Sequence, residues 1–290
     1  MVGQNSKVKV GLSMMLEDDF RQATASLFAN NQVDVIEWSF DTCWQKGLMP
    51  GWAQDLLEYY SKQDLLLGHG VYFSALSTYS PLHKDWLAKL SNEIRTRKYI
   101  HISEHFGFSQ AGHVLRGAPL PVPYCAEAVT LGKENLRRLS DIVNLPVGLE
   151  NLALAFCKED VLNQGIFLKE LLQEINGFIL LDLHNLYCQI QNFSLNPETL
   201  LQTYPLADVK ELHISGGSLN TLGNDRTIRR DTHDGDAPEA VFTLLETVLD
   251  LCPNIDYIIL ERLGGTLNNQ TDMANFQDEF MRIKNIVENH

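Results

Sequence analysis

A succession of short apolar runs in this chain stops on, or one residue before, side chains of the kind that bind metals. These are Glu37, His69, Glu104-His105, Glu150, Asp182, His213 and Glu261, with Asp231 and His233 in the stretch that follows His213. Only a fold that gathers the ends of many strands at one place can use such a series. A parallel (β/α)8 barrel does so at the rim formed by its strand C-termini. The chain is therefore expected to be a TIM barrel with a multi-metal site on that rim.

The order of segments supports the barrel. Residues 7–15, 33–40, 65–72, 99–106, 147–152, 177–185, 209–217 and 257–264 read as strands. Helical spacing fills the gaps, most clearly over 17–30, 81–98, 126–143, 161–175, 237–251 and 272–289. Near-continuous apolar runs such as Phe178-Ile179-Leu180-Leu181 suit strands buried on both faces, and the helices supply the long crossovers that parallel neighbours need. An open doubly wound sheet would bind a ligand at one switch point and leave eight strand ends without a common destination. No GxGxxG or Walker-type lysine loop follows a strand.

With 290 residues and 44% hydrophobic content, the whole of 1–290 is expected to form a single barrel domain. The net charge of −14 opposes non-specific attraction to nucleic acid. Five widely spaced cysteines without a CxxC pair suggest neither a disulfide framework nor a thiolate zinc site. No segment approaches the roughly 20 apolar residues that span a bilayer, and no signal peptide is read at the start. The expectation is a cytoplasmic protein with no membrane partner.

The residue types define the chemistry. His69 and His105 offer neutral imidazoles, and Glu150, Asp182, Asp231 and Glu261 offer carboxylates, with His213 and His233 adding further positions. Mixed nitrogen and oxygen ligation suits iron, zinc or manganese. If Asp231-Thr232-His233 is extended, its first and third side chains project to one side and reach one ion. Several carboxylates at one barrel mouth repel unless cations neutralise them. Glu37 is open to a simple pairing with an arginine, and His101 is expected to point into barrel packing. The segments 109–122 and 218–230 are long for barrel connections and are expected to be loops at the mouth, functional lids or mobile insertions that wall the site. Arg226, Arg229 and Arg230 in the second of them are candidates to bind an acidic peptide or its carboxylates.

These residues also carry a family resemblance. His69-Gly70-Val71, Ser103-Glu104-His105, Pro119-Leu120-Pro121 with Pro123-Tyr124, Leu149-Glu150-Asn151 and Leu180-Leu181-Asp182 with Asn185 come first. Glu211-Leu212-His213-Ile214, Asp231-Thr232-His233-Asp234 and Ile259-Leu260-Glu261-Arg262 follow. In this order the chain resembles the multinuclear non-heme iron-dependent oxidases, the group typified by the methanobactin biosynthesis oxidase. The resemblance implies a xylose isomerase-like TIM barrel holding two or three iron ions. The implied ligands are His69, His105, Glu150, Asp182, Asn185, His213, Asp231, His233 and Glu261, with Glu150 bridging. Of these, Glu150, His69, His105, Asp182, His213 and Glu261 are the implied catalytic set. It also implies dioxygen-dependent oxidation of cysteine residues in a ribosomally made precursor peptide, often delivered by a partner protein.

Two departures stand out. The strand-two segment reads Glu37-Trp38-Ser39-Phe40-Asp41-Thr42-Cys43-Trp44 where the family carries a histidine, proline, glutamate and asparagine pattern. His184 stands where many members carry asparagine, and is open to being a ligand in place of Asn185 or a donor behind the ligands. Two other readings share the residues: an endonuclease IV-like trinuclear zinc phosphodiesterase acting on DNA, and a degenerate barrel that only binds peptide. A sugar isomerase would need a lysine or histidine placed for ring opening, and none is identifiable.

Overall fold

The structure is a computed structural model that describes residues 8–46, 49–111, 114–175, 177–221, 223 and 227–290. In chain order its strands are β1 (Lys9–Ser13), β2 (Val35–Trp38), β3 (Leu66–Gly70), β4 (Ile102–His105), β5 (Phe108–Ala111) and β6 (Val114–Leu120). They continue with β7 (Val147–Glu150), β8 (Phe178–Asp182), β9 (Val209–Ile214), β10 (Leu219–Thr221), β11 (Thr227–Arg229) and β12 (Tyr257–Leu260). β1, β2, β3, β4, β7, β8, β9 and β12 pair in that order, all parallel, and β12 closes back on β1. This is the expected (β/α)8 barrel.

Strand alternation decides what faces the barrel axis. Register sets Ser13 beside Glu37, His69 beside Ser103, His105 beside Glu150, and Asp182 beside His213. Residues two apart share a face, so Leu67 accompanies His69, Glu211 accompanies His213, and Ile259 accompanies Glu261. The buried apolar residues divide accordingly. One large cluster lies between helices and barrel, and a small one of Val35, Leu67 and Ile259 fills the interior towards the strand N-termini. A side chain at Gly148 would meet the Phe178 ring at 2.5 Å, so that ring takes the space. Apolar packing thus shares the lower interior with the buried His101 and Glu211 and leaves the other end to polar groups.

Two expectations are corrected by local chemistry. The sixth barrel strand stops at Asp182 and does not run through Asn185, because the Asp182 carboxylate accepts from the Asn185 amide and caps the helix Leu183–Phe193. The long segments after β4 and β9 are antiparallel hairpins, β5 with β6 and β10 with β11. Pairing satisfies backbone groups that an irregular lid would leave to water.

The chain after β3 is tied down by buried acids. Asp41, in the helix Phe40–Lys46, accepts from the amides of Val71 (3.0 Å) and Tyr72 (2.8 Å) and from the Trp86 indole (2.8 Å). Glu104 accepts from the Phe73 amide at 3.2 Å. Replacing Asp41 with alanine strands those three donors, and we expect it to cost roughly 3 kcal/mol in urea unfolding. An unchanged midpoint would show that this tie carries no stability.

Candidate metal centre

Three overlapping groups of ligand atoms converge at the C-terminal end of the barrel. They are His69, His105 and Glu150; Glu150, Asp182 and His213; and Asp182, His233 and Glu261, each within 4.8 Å of one another. Glu150 belongs to the first two groups and Asp182 to the last two, so carboxylates join the groups into one chain. His69 Nε2 and His105 Nε2 lie 3.4 and 3.3 Å from the same oxygen, Glu150 Oε2. His213 Nδ1 is 3.1 Å from Glu261 Oε2, and His233 Nε2 is 2.8 Å from Asp231 Oδ1 and 3.7 Å from Glu261 Oε2.

Several of these side chains are aimed by a neighbour. Ser103 Oγ donates to the Gly68 carbonyl and lies 2.8 Å from His69 Nδ1, so it accepts that N–H and leaves the Nε2 lone pair facing Glu150. Asn151 Oδ1 accepts from the Asp182 amide at 2.7 Å and Asn151 Nδ2 donates to the Asp182 carbonyl at 3.1 Å, fastening β7 to β8. Asn185 donates to Glu150 Oε1 (3.2 Å) and to the Asn151 carbonyl (2.9 Å), which leaves its Oδ1 buried and unpaired. Asp182 Oδ2, Glu150 Oε2 and Glu261 Oε2 are likewise buried without a hydrogen-bond partner. Native proteins rarely bury so many unpaired polar atoms together, and neutral imidazoles facing carboxylate and amide oxygens are a donor set for divalent iron, zinc or manganese.

Depth separates the groups. The side chains of His213, Glu150 and His69 are 0, 2 and 4% exposed, whereas Asp231 and His233 are each 24% exposed. The outer pair departs from the extended triplet expected, since His233 has φ 53° and turns the chain in the left-handed region. Its carbonyl accepts from the Leu263 amide, which pins the turn to the chain just after β12. His184 is fully buried with Nδ1 3.2 Å from Asp231 Oδ1, and it lies outside the three groups. Asp231 also lies outside those groups, and its carboxylate accepts from His184.

Burial controls the protonation of the centre without cations. It pushes Glu150 well up, Asp182 up to about 8 and Glu37 up to about 7. It pushes the His105 imidazole down to about 4, and His69 well down with help from the neighbouring His105 and His213. At Glu261 and Asp231 burial works against ionisation, but His213 and His233 outweigh it for the first, and His233 and His184 for the second, so both are held low.

Other expectations change. Glu104 points away from the centre towards Phe73, because it alternates with His105 along β4. Glu37 pairs with His213 at 3.1 Å, not with an arginine. His101 does lie inside the barrel, 4.7 Å from the Phe178 ring, but it is also 2.8 Å from Glu211 Oε2. Arg226 lies outside the described residues. Arg229 is committed internally: it donates to the Gly217 carbonyl at 2.9 Å and its guanidinium lies 5.0 Å from the Tyr187 ring centroid. Arg230 is exposed and borders the cavity. Asn151 and Ser103 went unassigned at the level of sequence, although each adjoins a candidate ligand in it.

A cavity of about 370 Å³ opens above the centre. Met14, Trp38, Leu152, Leu154 and Leu263 give it an apolar wall, while His69, His105, Asp231 and Glu261 reach it from below. Residues 18–288 match the family described as RiPP precursor modification enzyme MbnB/TglH/ChrH. The chain belongs to this family. Similar relatives are UPF0276 proteins from Rhizobium meliloti (strain 1021), 25% identical over 66% of this chain, and from Vibrio vulnificus (strain YJ016), 26% identical over 67% of it. The matches span 62% and 70% of those relatives' lengths. In fold the chain resembles the IOLI protein solved with a zinc atom (TM-score 0.62, 13% identity, 97% of this chain and 99% of that one). It also resembles a D-psicose 3-epimerase from Clostridium cellulolyticum H10 (TM-score 0.58, 13% identity, 97% and 99%). A xylose isomerase domain protein from Salmonella typhimurium LT2 is similar to the same degree (TM-score 0.60, 12% identity, 98% and 99%), so this family member has a xylose isomerase-like barrel.

The electrostatics give a pH signature. Stripped of metal, the folded chain keeps protons on Glu150, Asp182 and Glu37 at pH values where the unfolded chain has lost them. Stability from raised carboxyl groups is fully present below their ordinary range and is lost as pH climbs through about 7 to 8. Metal requires the ionised forms. The melting temperature of chelator-stripped protein should therefore fall from about pH 6.5 to 8.5, and the gap to zinc-loaded protein should widen. Parallel pH profiles would contradict this electrostatic account.

Proposed function

We propose that this protein is a multinuclear non-heme iron oxidase that uses dioxygen to modify cysteine residues of a ribosomally synthesised precursor peptide. His69, His105, Glu150, Asp182, Asn185, His213, Asp231, His233 and Glu261 would hold two or three ions. The observation that carries this reading is the sharing of Glu150 and Asp182 between adjacent ligand groups, beneath a cavity open to a substrate. Iron bound there supplies redox chemistry with dioxygen that none of the protein side chains provides. Zinc and manganese accept the same donors, so the choice of iron rests on the resemblance carried by the sequence motifs.

The protein's own part is placement. His69 presents Nε2 because Ser103 takes the proton on Nδ1, and Asn185 braces Glu150 while leaving Oδ1 towards the centre. Met14, Trp38 and Leu152 exclude water from the peptide side chain that enters, so that its sulfur meets the centre in an apolar surround. Arg230 engages a carboxylate of the peptide at the mouth. A separate recognition protein presenting the peptide belongs to the same reading. Among the described residues no helix is long and apolar enough to cross a membrane. We place the protein in the cytoplasm, where a cysteine substrate stays reduced.

Removal of Glu150 by alanine should cost more than one metal ion per chain, because two ligand groups share it. Alanine at Asp231 or His233, both a quarter exposed, should cost one ion and leave the deeper pair. Elemental analysis of the purified variants reads both. Loss of every ion in all three variants would mean one cooperative cluster in place of separable sites.

Iron-reconstituted protein should consume oxygen when given a cysteine-containing precursor peptide, and zinc-loaded protein should bind the peptide without oxidising it. Arg230→Ala should raise KM about tenfold at low salt with kcat and metal content unchanged. Cleavage of abasic-site DNA without oxygen uptake would replace this reading with the endonuclease one. Peptide binding without turnover under all metals would leave a non-catalytic barrel.

A further inference from the structure

Beneath the three ligand groups, the barrel interior carries ionisable side chains where such barrels commonly place branched aliphatic ones. Glu37, Glu211 and His213 are each 0% exposed and converge within 4.8 Å. His101 Nε2 lies 2.8 Å from Glu211 Oε2, the nearest opposite group to the lower acid, although neither atom makes a hydrogen bond. Glu37 faces upward instead: its Oε2 is 3.1 Å from His213 Nε2 and 3.9 Å from His69 Nδ1. His69 Nδ1 is already paired with Ser103, which leaves His213 as the partner. A carboxylate accepts, so the imidazole proton between them belongs on Nε2. In the neutral ring the lone pair is then on Nδ1, the buried atom that has no hydrogen-bond partner and lies 3.1 Å from Glu261 Oε2.

We infer that Glu37 is the positioning residue of His213: it fixes the ring tautomer and so aims Nδ1 as the ligand atom shared with Glu150, Asp182 and Glu261. This rests on the metal reading proposed above. Metal-bound imidazoles generally need such a carboxylate or carbonyl on their other nitrogen, and losing it weakens metal binding about 10- to 100-fold. The competing assignment makes Glu37 a ligand itself, with Glu211 and His213 around an ion of their own. It would require His213 to give both nitrogens to metals and to lose the proton that Glu37 accepts.

Zinc, which is redox-inert, is the probe. Chelator competition measures its affinity at each site, and nitrogen-15 spectra of the histidine rings read the tautomer of the zinc-loaded protein. Glu37→Leu should weaken one zinc site about 10- to 100-fold and lose the Nε2–H signature of one ring. Glu37→Gln keeps an acceptor oxygen and should restore affinity to within a few-fold of the native protein. Metal-free Glu37→Leu strands the buried His213 Nε2–H and should melt lower than the native protein, whereas metal-free Glu37→Gln keeps an acceptor and should melt close to it. Unchanged zinc affinity at every site in Glu37→Leu, with the Nε2–H signature retained, would reduce Glu37 to a packing residue and overturn the inference. Loss of a whole zinc equivalent in both variants would make it a ligand and overturn it equally. Failure of the native protein to take up zinc or iron would instead remove the metal reading itself.

Discussion

Glu150, Asp182 and Glu261 put carboxylates into one nearly water-free end of a barrel, and every other feature of the molecule answers to that placement. An ionised carboxylate costs several kcal/mol to remove from water unless opposite charge meets it. Histidines meet part of the charge here, through His213 beside Glu261 and His233 beside Asp231. The rest is left open, as the unpaired Glu150 Oε2, Asp182 Oδ2 and Asn185 Oδ1 record. Bound cations complete such an arrangement, and without them the centre is a standing electrostatic strain on the fold.

The centre is graded in depth, and the grading has a mechanical basis. Its floor is set by strand ends whose positions the closed hydrogen-bonded barrel fixes, so His213 and Glu150 have little freedom. Its outer part hangs from the segment after β11. Asn192 pairs with both the amide and the carbonyl of Arg229, Tyr187 underlies that guanidinium, and His184 grips Asp231. All three come from the helix capped by Asp182, so one helix carries the geometry of the deep site outward to the rim. A rigid floor with a less buried outer pair suits the proposed centre, which would hold ions and still admit a peptide.

Much of this was legible before the structure. Ligand types at successive strand ends need a common rim, and that need points to the barrel and to His69, His105, Glu150, Asp182, His213, His233 and Glu261, whereas Asn185 came from the family resemblance. What escaped depends on partners distant in sequence. Nothing local distinguishes Asp182 as the last strand residue from Asp182 as a helix cap, so the strand was extended through Asn185. Glu104 and His105 are adjacent, and only the register of β4 shows which of them faces the axis. The pairing of Glu37 with His213 spans most of the chain. His233 adopts a left-handed conformation rare for a side chain with a Cβ, and only the Leu263 amide that accompanies it explains why. Both long connections looked irregular because strands of three to seven residues leave a weak alternation signal.

The central claim is that the barrel rim holds a metal cluster joined through Glu150. Crystals of anaerobically iron-loaded protein, measured on both sides of the iron absorption edge, test it directly. The account predicts at least two anomalous peaks at the strand C-termini with the Glu150 carboxylate between them. A single peak, or peaks remote from Glu150, would contradict it.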